Sequence, residues 1–333
     1  MISPLWLAAT SPAFAQIIPD TTLPNNTIVI PTGNRIQIEG GTSAGNSLFH
    51  SFQEFSLPTG REAFFNNAPD IQTIFSRVTG GNFSNIDGLI RANGSASLFL
   101  INPSGIIFGP NAQINIGGSF ISSTANSIRF ANGSEFSAIN PQAPPLLTIN
   151  VPVGLQFGIN PAPIINQSQA RTLITLPLPN PSIPLPTNTG LEVRPGQTLA
   201  LIGGDVRLEG GNLTSLQGEI HLGSLASPGF VSLTPTATGL GFGYAEIQNF
   251  GNIDLSGKAA VNVSGLGGGA IQLQGGNITL RQGSSLVSNT LGTVNGRSIH
   301  IRARQFKLQE GSLVSALTLG SGMGGDVTLE ASE

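Results

Sequence analysis

Residues 268–288 read GGAIQLQGGNITLRQGSSLVS, and residues 295–315 read NGRSIHIRARQFKLQEGSLVS. Set one above the other, they resolve into three short apolar runs, each closed by glycine or a small polar residue. Ile271 and Ile299 are 28 residues apart, as are Ile278 and Phe306, and Val327 in GGDVTLE (324–330) lies another 28 beyond Ile299. Leu286 and Leu313 align at a spacing of 27 through a shared Ser-Leu-Val-Ser. NIDLSGKAAVNVSG (252–265) is a shorter copy, and GGDVRLEGGNLTSLQGEIHLGS (203–224) resembles a further one. Alternation at period two marks strands with one buried face. Three strands in each unit of this size identify one turn of a parallel β-helix. A single turn has no core of its own and leaves its ladder N–H and C=O groups unpaired, so it is stable only when stacked, at about 4.8 Å per rung. Crossovers between parallel strands favour a right-handed coil.

The remainder of the chain is consistent with that reading. Helical periodicity is nearly missing, while Thr27-Ile28-Val29-Ile30, Arg35-Ile36-Gln37-Ile38 and Gln113-Ile114-Asn115-Ile116 are short strand-like runs between Gly and Asn punctuation. Charged residues make up only 9% of the 333, against 39% hydrophobic, with 44 Gly and 23 Pro. Ordinary soluble domains carry about 25% charge. A net charge of −3 offers no basic surface for nucleic acid, and the absence of cysteine excludes disulfides and thiolate metal sites.

LFLINPSGIIFG (98–109) places seven large apolar residues around one tight turn. Asn102, Pro103 and Gly105 occupy the positions that a type I turn prefers. The uninterrupted flanks predict consecutive strands, 98–101 and 106–108, with the turn as a corner; such runs suit strands buried on both faces.

MISPLWLAATSPAFAQ has a short apolar core and Ala13-Phe14-Ala15 before Gln16, so residues 1–15 are expected to be a signal peptide, possibly truncated. No later stretch approaches the ~20 apolar residues of a membrane-spanning helix. Seven prolines between Pro161 and Pro186 predict an extended excursion or linker over 166–189. It divides an amino-terminal module, 16–165, from continuing coils over 190–333, although one continuous helix with a large loop fits equally. The strand beginning at Asp326 suggests the start of a longer rod.

Four landmarks in the amino-terminal module, LFHSFQEFSL (48–57), FFNNAPDIQTIFSRVTGG (64–81), IDGLIRANGSASLFLINPSGIIFG (86–109) and INIGGSFISST (114–124), follow one another in a recognisable order. The module resembles the secretion domain of two-partner secreted exoproteins, the filamentous-haemagglutinin amino-terminal family. The family's Asn-Pro-x-Gly-Ile element is matched by Asn102, Pro103, Ser104, Gly105 and Ile106, and a secondary motif by Arg77, Val78, Thr79, Gly80 and Gly81. An Asn-Pro-Asn-Leu element found in some members is absent; the distant substitute is Asn67-Ala68-Pro69-Asp70. The resemblance implies a capped right-handed β-helix with extra-helical strands, exported through an outer-membrane β-barrel transporter with periplasmic domains. It also implies a secreted, cell-surface-associated, transiently periplasmic product of adhesin type, with any host-cell, surface or matrix receptor engaged by regions beyond residue 333. The motif at 102–106 either contacts that transporter or sets the bend.

Other chemistry is not indicated. His50, His221 and His300 are far apart in sequence and lack metal-ligand spacing. GNIDLSGK (251–258) fails as a phosphate loop, and GLGFG (239–243) has no following helix to make a dinucleotide site. GMGGD (322–326) is a single turn rather than a calcium-binding array. A polysaccharide-cleaving β-helix needs converging carboxylates, whereas Asp205, Glu209 and Glu219 do not recur at coil spacing, and Asp254 and Asp326 are out of phase. The expectation is a non-enzymatic protein without cofactor or metal.

Overall fold

A computed structural model describes residues 16–141, 151–172, 188–236 and 239–333. The signal peptide expected at 1–15 and the central part of the proline-rich stretch lie outside them. Among the described residues there is no helix; the chain winds through strands in five sheets.

Three faces form the coil. In the first, an 11-stranded sheet, Ser47–Phe55, Thr73–Val78, Ser97–Ile101 and Phe120–Ser123 pair in parallel, and Thr198–Gly203 through Val327–Ala331 continue the ladder. The second, 7-stranded, stacks Ser84–Ile86, Ile106–Phe108, Ile164–Asn166, Val206–Glu209, Ile253–Ser256, Asn277–Leu280 and Gln305–Leu308. The third face is built from Glu62–Phe65, Leu89–Ala92 and Gln113–Asn115, followed by a second group from Leu191–Glu192 to Leu313–Ser315. Inward side chains such as Ile74, Leu98, Leu100, Ile106, Leu201, Ile271 and Leu286 make one core running from Ile17 to Ile301. This is a parallel β-helix.

The 28-residue spacing holds for two columns, Ile271↔Ile299↔Val327 and Ile278↔Phe306. The third column is corrected. Leu286 pairs with Val314, and Leu313 pairs with Ser285. Because side chains alternate faces, that one-residue difference leaves Leu286 fully buried and Leu313 52% exposed. Sequence identity in Ser-Leu-Val-Ser therefore misaligns the rung; the ladder keeps 28.

At the proline-rich stretch the pairing is that of a continuous helix. Phe120–Ser123 pairs with Thr198–Gly203, and Ile164–Asn166 with Val206–Glu209. Pro161 to Pro163 belong to the rungs themselves: Ala162 O accepts from Gly204 N at 2.8 Å and Pro163 O from Ile106 N at 3.2 Å.

Two additions depart from the coil. At the amino terminus, Ile17–Pro19, Thr27–Thr32 and Thr42–Ala44 pair antiparallel with neighbouring strands and cap the first rung. Outside the first sheet lies a 5-stranded antiparallel layer made from Ser127–Phe130, Glu135–Ser137, Pro152–Phe157, Gly229–Thr236 and Gly239–Gly243. Phe130, Phe136, Leu155, Phe157 and Val231 of that layer bury Phe49, Phe75, Phe99, Ile101 and Ile121 on the outer face of the first sheet. That explains LFLI at 98–101. Leu98 and Leu100 enter the inner core while Phe99 and Ile101 enter the outer one.

Candidate functional site

The two sequence motifs meet at one corner, where the chain leaves the first sheet for the second. Residues 79–83 make this corner in one rung, and 102–105 make it in the next. Asn102 is fully buried. Its O accepts from Gly105 N at 3.1 Å, closing the turn, and its Oδ1 accepts from Ser104 N at 2.9 Å. Its Nδ2 donates to Asn82 O and Ser84 Oγ, both at 2.9 Å, and its N donates to Ser123 O at 2.9 Å. One side chain thus ties its own turn to the turn below, while its backbone ties to the strand above. An asparagine suits this place because it offers two donors and an acceptor on a short stem.

Gly105 has φ +116, and a Cβ there would lie 2.3 Å from Phe83 Cε1. Gly80 runs so close to the rung below that a Cβ would lie 2.1 Å from Gln53 O. Ile106 and Val78 point into the core. Pro103 and Ser104 are half-buried, Gly80 and Gly81 are exposed, and Phe83 is 51% exposed. The corner is a hydrogen-bonded, closely packed scaffold with a small apolar and hydroxyl-bearing outer surface.

Arg77, of the secondary motif, is fully inside, at 1% exposure. Its Nε donates to Ser51 Oγ at 2.8 Å, Nη1 to Ser137 O at 2.7 Å, and Nη2 to Thr22 Oγ1 at 2.9 Å and Pro141 O at 2.8 Å. The guanidinium lies over the Phe136 ring, 4.4 Å from its centroid. Cap, coil and outer layer are joined at this one side chain. Asp20 completes the cluster, accepting from Ser51 and Thr79 hydroxyls at 2.7 Å each and from Thr22 Oγ1 at 2.5 Å. Burial pulls the Arg77 pKa down to about 10, opposed by the nearby Asp20 charge. For Asp20, burial pushes the pKa up, but the hydrogen bonds from Thr22, Thr79 and Ser51 outweigh it and leave it below the usual value.

Asn67 of the distant substitute lies at a different corner, between the third sheet and the first, where its Oδ1 accepts from Asn93 N at 2.9 Å. The structure does not bring it to the motif site.

The histidines are not assembled either. His50 is buried among Phe52 and Phe65, with Nδ1 3.2 Å from Thr27 Oγ1, and burial depresses its pKa to about 3. His221 contacts Glu219 and Gln272 at 3.1 Å each, under the Phe242 ring; His300 is exposed. Among the described residues no group of three or more His, Cys, Asp or Glu is placed to hold a metal ion.

The reading of the acidic residues is corrected. Asp205, Glu209 and Asp254 do share the exposed face of the second sheet, because Arg207 pairs with Asp254 at a separation of 47, which the intervening hairpin adds to the rung. Each is engaged: Asp205 by Arg207 at 3.1 Å, Glu209 by Gln167 at 2.9 Å and Asp254 by Arg281 at 3.1 Å. Glu219 is elsewhere, buried on the first sheet and bonded to Arg297 at 2.5 Å.

A parallel β-helix with an amino-terminal cap, an outer antiparallel layer and an Asn-Pro-x-Gly corner defines a class of capped β-helix domains. Residues 15–280 match the TPS secretion domain, and the chain belongs to that two-partner secretion family. Two heme/hemopexin-binding proteins of Haemophilus influenzae are similar to it. One, from strain Rd, is 37% identical over 89 residues, covering 26% of this chain and 9% of the relative; the other is 30% identical over 112 residues, covering 31% and 12%. The matches therefore span about a tenth of those relatives. Among solved structures, the HMW1 secretion domain from Haemophilus influenzae superposes with a TM-score of 0.57 at 19% identity, covering 94% of this chain and 76% of that one. The filamentous hemagglutinin secretion domain gives 0.41 at 16% identity, over 94% and 99%. The chain is thus part of a two-partner-system exoprotein exported across the outer membrane, and membership implies a dedicated outer-membrane transporter.

Proposed function

We propose that this chain is both the export address and the folding template of its exoprotein, and that the transporter's periplasmic domains read the corner at 79–83 and 102–105. The reading is carried by one observation. Two motifs 25 residues apart, beginning at Arg77 and Asn102, form a single surface, built by a fully buried Asn102 and capped by a half-exposed Phe83. Asn102 and Arg77 shape the surface from inside; Phe83, Pro103 and Ser104 meet the partner. The product is surface-associated and adhesin-like after brief passage through the periplasm. Because the matched relatives carry most of their length elsewhere, the principal host-receptor binding is assigned to sequence outside these residues.

Capture by the purified periplasmic domains tests this. Phe83→Ser and Ser104→Glu are expected to lower capture and secretion while leaving the unfolding midpoint at the parental value. Asn102→Ala is expected to lower all three. Undiminished capture of both surface variants removes the corner as the recognised surface.

A further inference from the structure

A second concave surface lies around the coil from the export corner, where the chain passes from the second sheet to the third. Rungs from Asn34 to Asn188 enclose a cavity of about 980 Å³ there. Arg35, Glu62, Leu89 and Gln113 form a column in strict register along it. Three arginines, Arg35, Arg61 and Arg171, line the wall against one carboxylate, Glu62. That carboxylate is already engaged: Arg35 Nε donates to it at 2.8 Å, and Arg91 Nη1 lies 3.4 Å from its other oxygen. Asp87, behind the rim, is taken up by Asn111, whose N and Nδ2 donate to it at 2.7 and 3.1 Å, and by Thr59. Among the described residues, the side chains of Arg61 and Arg171 have no hydrogen-bond or ion-pair partner.

This concentration of positive charge is local. The whole chain carries 14 Lys and Arg against 17 Asp and Glu, so a wall with three arginines and one carboxylate is not the background composition. Asn34, Asn111, Gln113, Gln169 and Asn188 place amides beside the arginines. Amides donate to and accept from hydroxyls, and guanidinium forks match planar carboxylate and tetrahedral sulfate. The groove follows the helix axis, so its groups repeat at the rung spacing of about 4.8 Å, close to the length of one pyranose in an extended chain.

We propose that this groove binds an extended anionic glycan, its carboxylate or sulfate groups on Arg61 and Arg171 and its hydroxyls on the amides. The site is independent of the export corner.

Calorimetry on the full chain tests it with four probes: a heparin-derived oligosaccharide, an oligogalacturonate, a neutral malto-oligosaccharide and poly-glutamate. Binding of a sulfated or carboxylated sugar is expected, and the stronger of the two identifies the anion. Neither the neutral sugar nor poly-glutamate binds comparably. Arg61→Ala/Arg171→Ala is expected to weaken glycan binding by about tenfold or more, the scale of one lost charge-assisted contact. Raising salt from about 0.1 M to about 1 M, which cuts the screening length from ~10 to ~3 Å, weakens the parent more than the variant. The variant keeps the parental unfolding midpoint and secretion level. Equal binding by parent and variant, comparable binding of poly-glutamate or the neutral sugar, or loss of secretion in the variant each overturns the proposal.

Discussion

The rungs at 73–123 and those at 270–315 follow the same path yet are held differently. In the earlier rungs the first sheet is buried on both faces: Phe75 and Phe99 point outward into a second core, with ring centroids 5.1 Å apart. On the same sheet in the later rungs, the outward positions include half-buried Gln272 and exposed His300, and the buried side chains of Ala270–Gln274 and Ile299–Ala303 are Ile271, Leu273, Ile299 and Ile301 on the inner face. The coil alone supplies one hydrophobic face per strand. The outer layer, pinned by Arg77, supplies a second. Extra stability is therefore concentrated around the corner proposed as the export address, which suits a template on which later rungs stack.

The largest test of this contrast is a pair of truncations on the same sheet. Phe75→Ala is expected to destabilise by about 3–5 kcal/mol, as buried Phe deletions do, whereas His300→Ala, at an exposed outward position of the same sheet, is expected to stay within about 0.5 kcal/mol; denaturant unfolding measures both. Next is Arg77→Leu, which leaves Ser137 O, Pro141 O and Asp20 without their cation and is expected to cost about 3 kcal/mol. It also detaches the outer layer first, visible as early proteolysis between 124 and 160. Asn102→Ala follows at about 2 kcal/mol, from loss of the side-chain acceptor for Ser104 N and of the two bonds donated to Asn82 O and Ser84 Oγ, with secretion falling in parallel.

Near neutral pH the smallest effects come from protonation, and they affect the cap. His50 stays neutral in the folded chain down to about 3, while an unfolded histidine takes a proton near 6.5. Between those values the unfolded chain binds more protons, so stability falls as pH drops through that window. His50→Gln flattens that part of the profile. Asp20, with its pKa below the ordinary 3.8, contributes stability that is present above 3.8 and lost as pH falls through its lower folded value. Asp20→Asn flattens only this more acidic limb, and urea midpoints across the two windows separate them.

The difference between the two regions also explains what the sequence made readable. Rungs 268–288 and 295–315 have no insertions, so their period is plain, apart from the slip at Leu313. Ser127–Phe130, Glu135–Ser137, Pro152–Phe157, Gly229–Thr236 and Gly239–Gly243 lie outside the coil, and these additions hide the rung length elsewhere and disguise the pairing of Arg207 with Asp254. At Asn102 the turn chemistry was legible, but the partners Asn82 and Ser84 belong to another rung. Arg77 was visible only through family resemblance; its contacts at Ser137 and Pro141 lie 60 and 64 residues away, beyond any local pattern. The arginine-lined groove gave no signal at all, since its arginines are single residues from separate rungs.

Native-state amide hydrogen exchange of the full chain compares the two regions directly. The strands Thr73–Val78, Ser97–Ile101 and Phe120–Ser123 are expected to exchange only with global unfolding, after Ile299–Ala303 and Gln305–Leu308 have already opened. Uniform protection along the coil, or earlier exchange in the amino-terminal strands, contradicts the idea that the doubly buried rungs are the stable template.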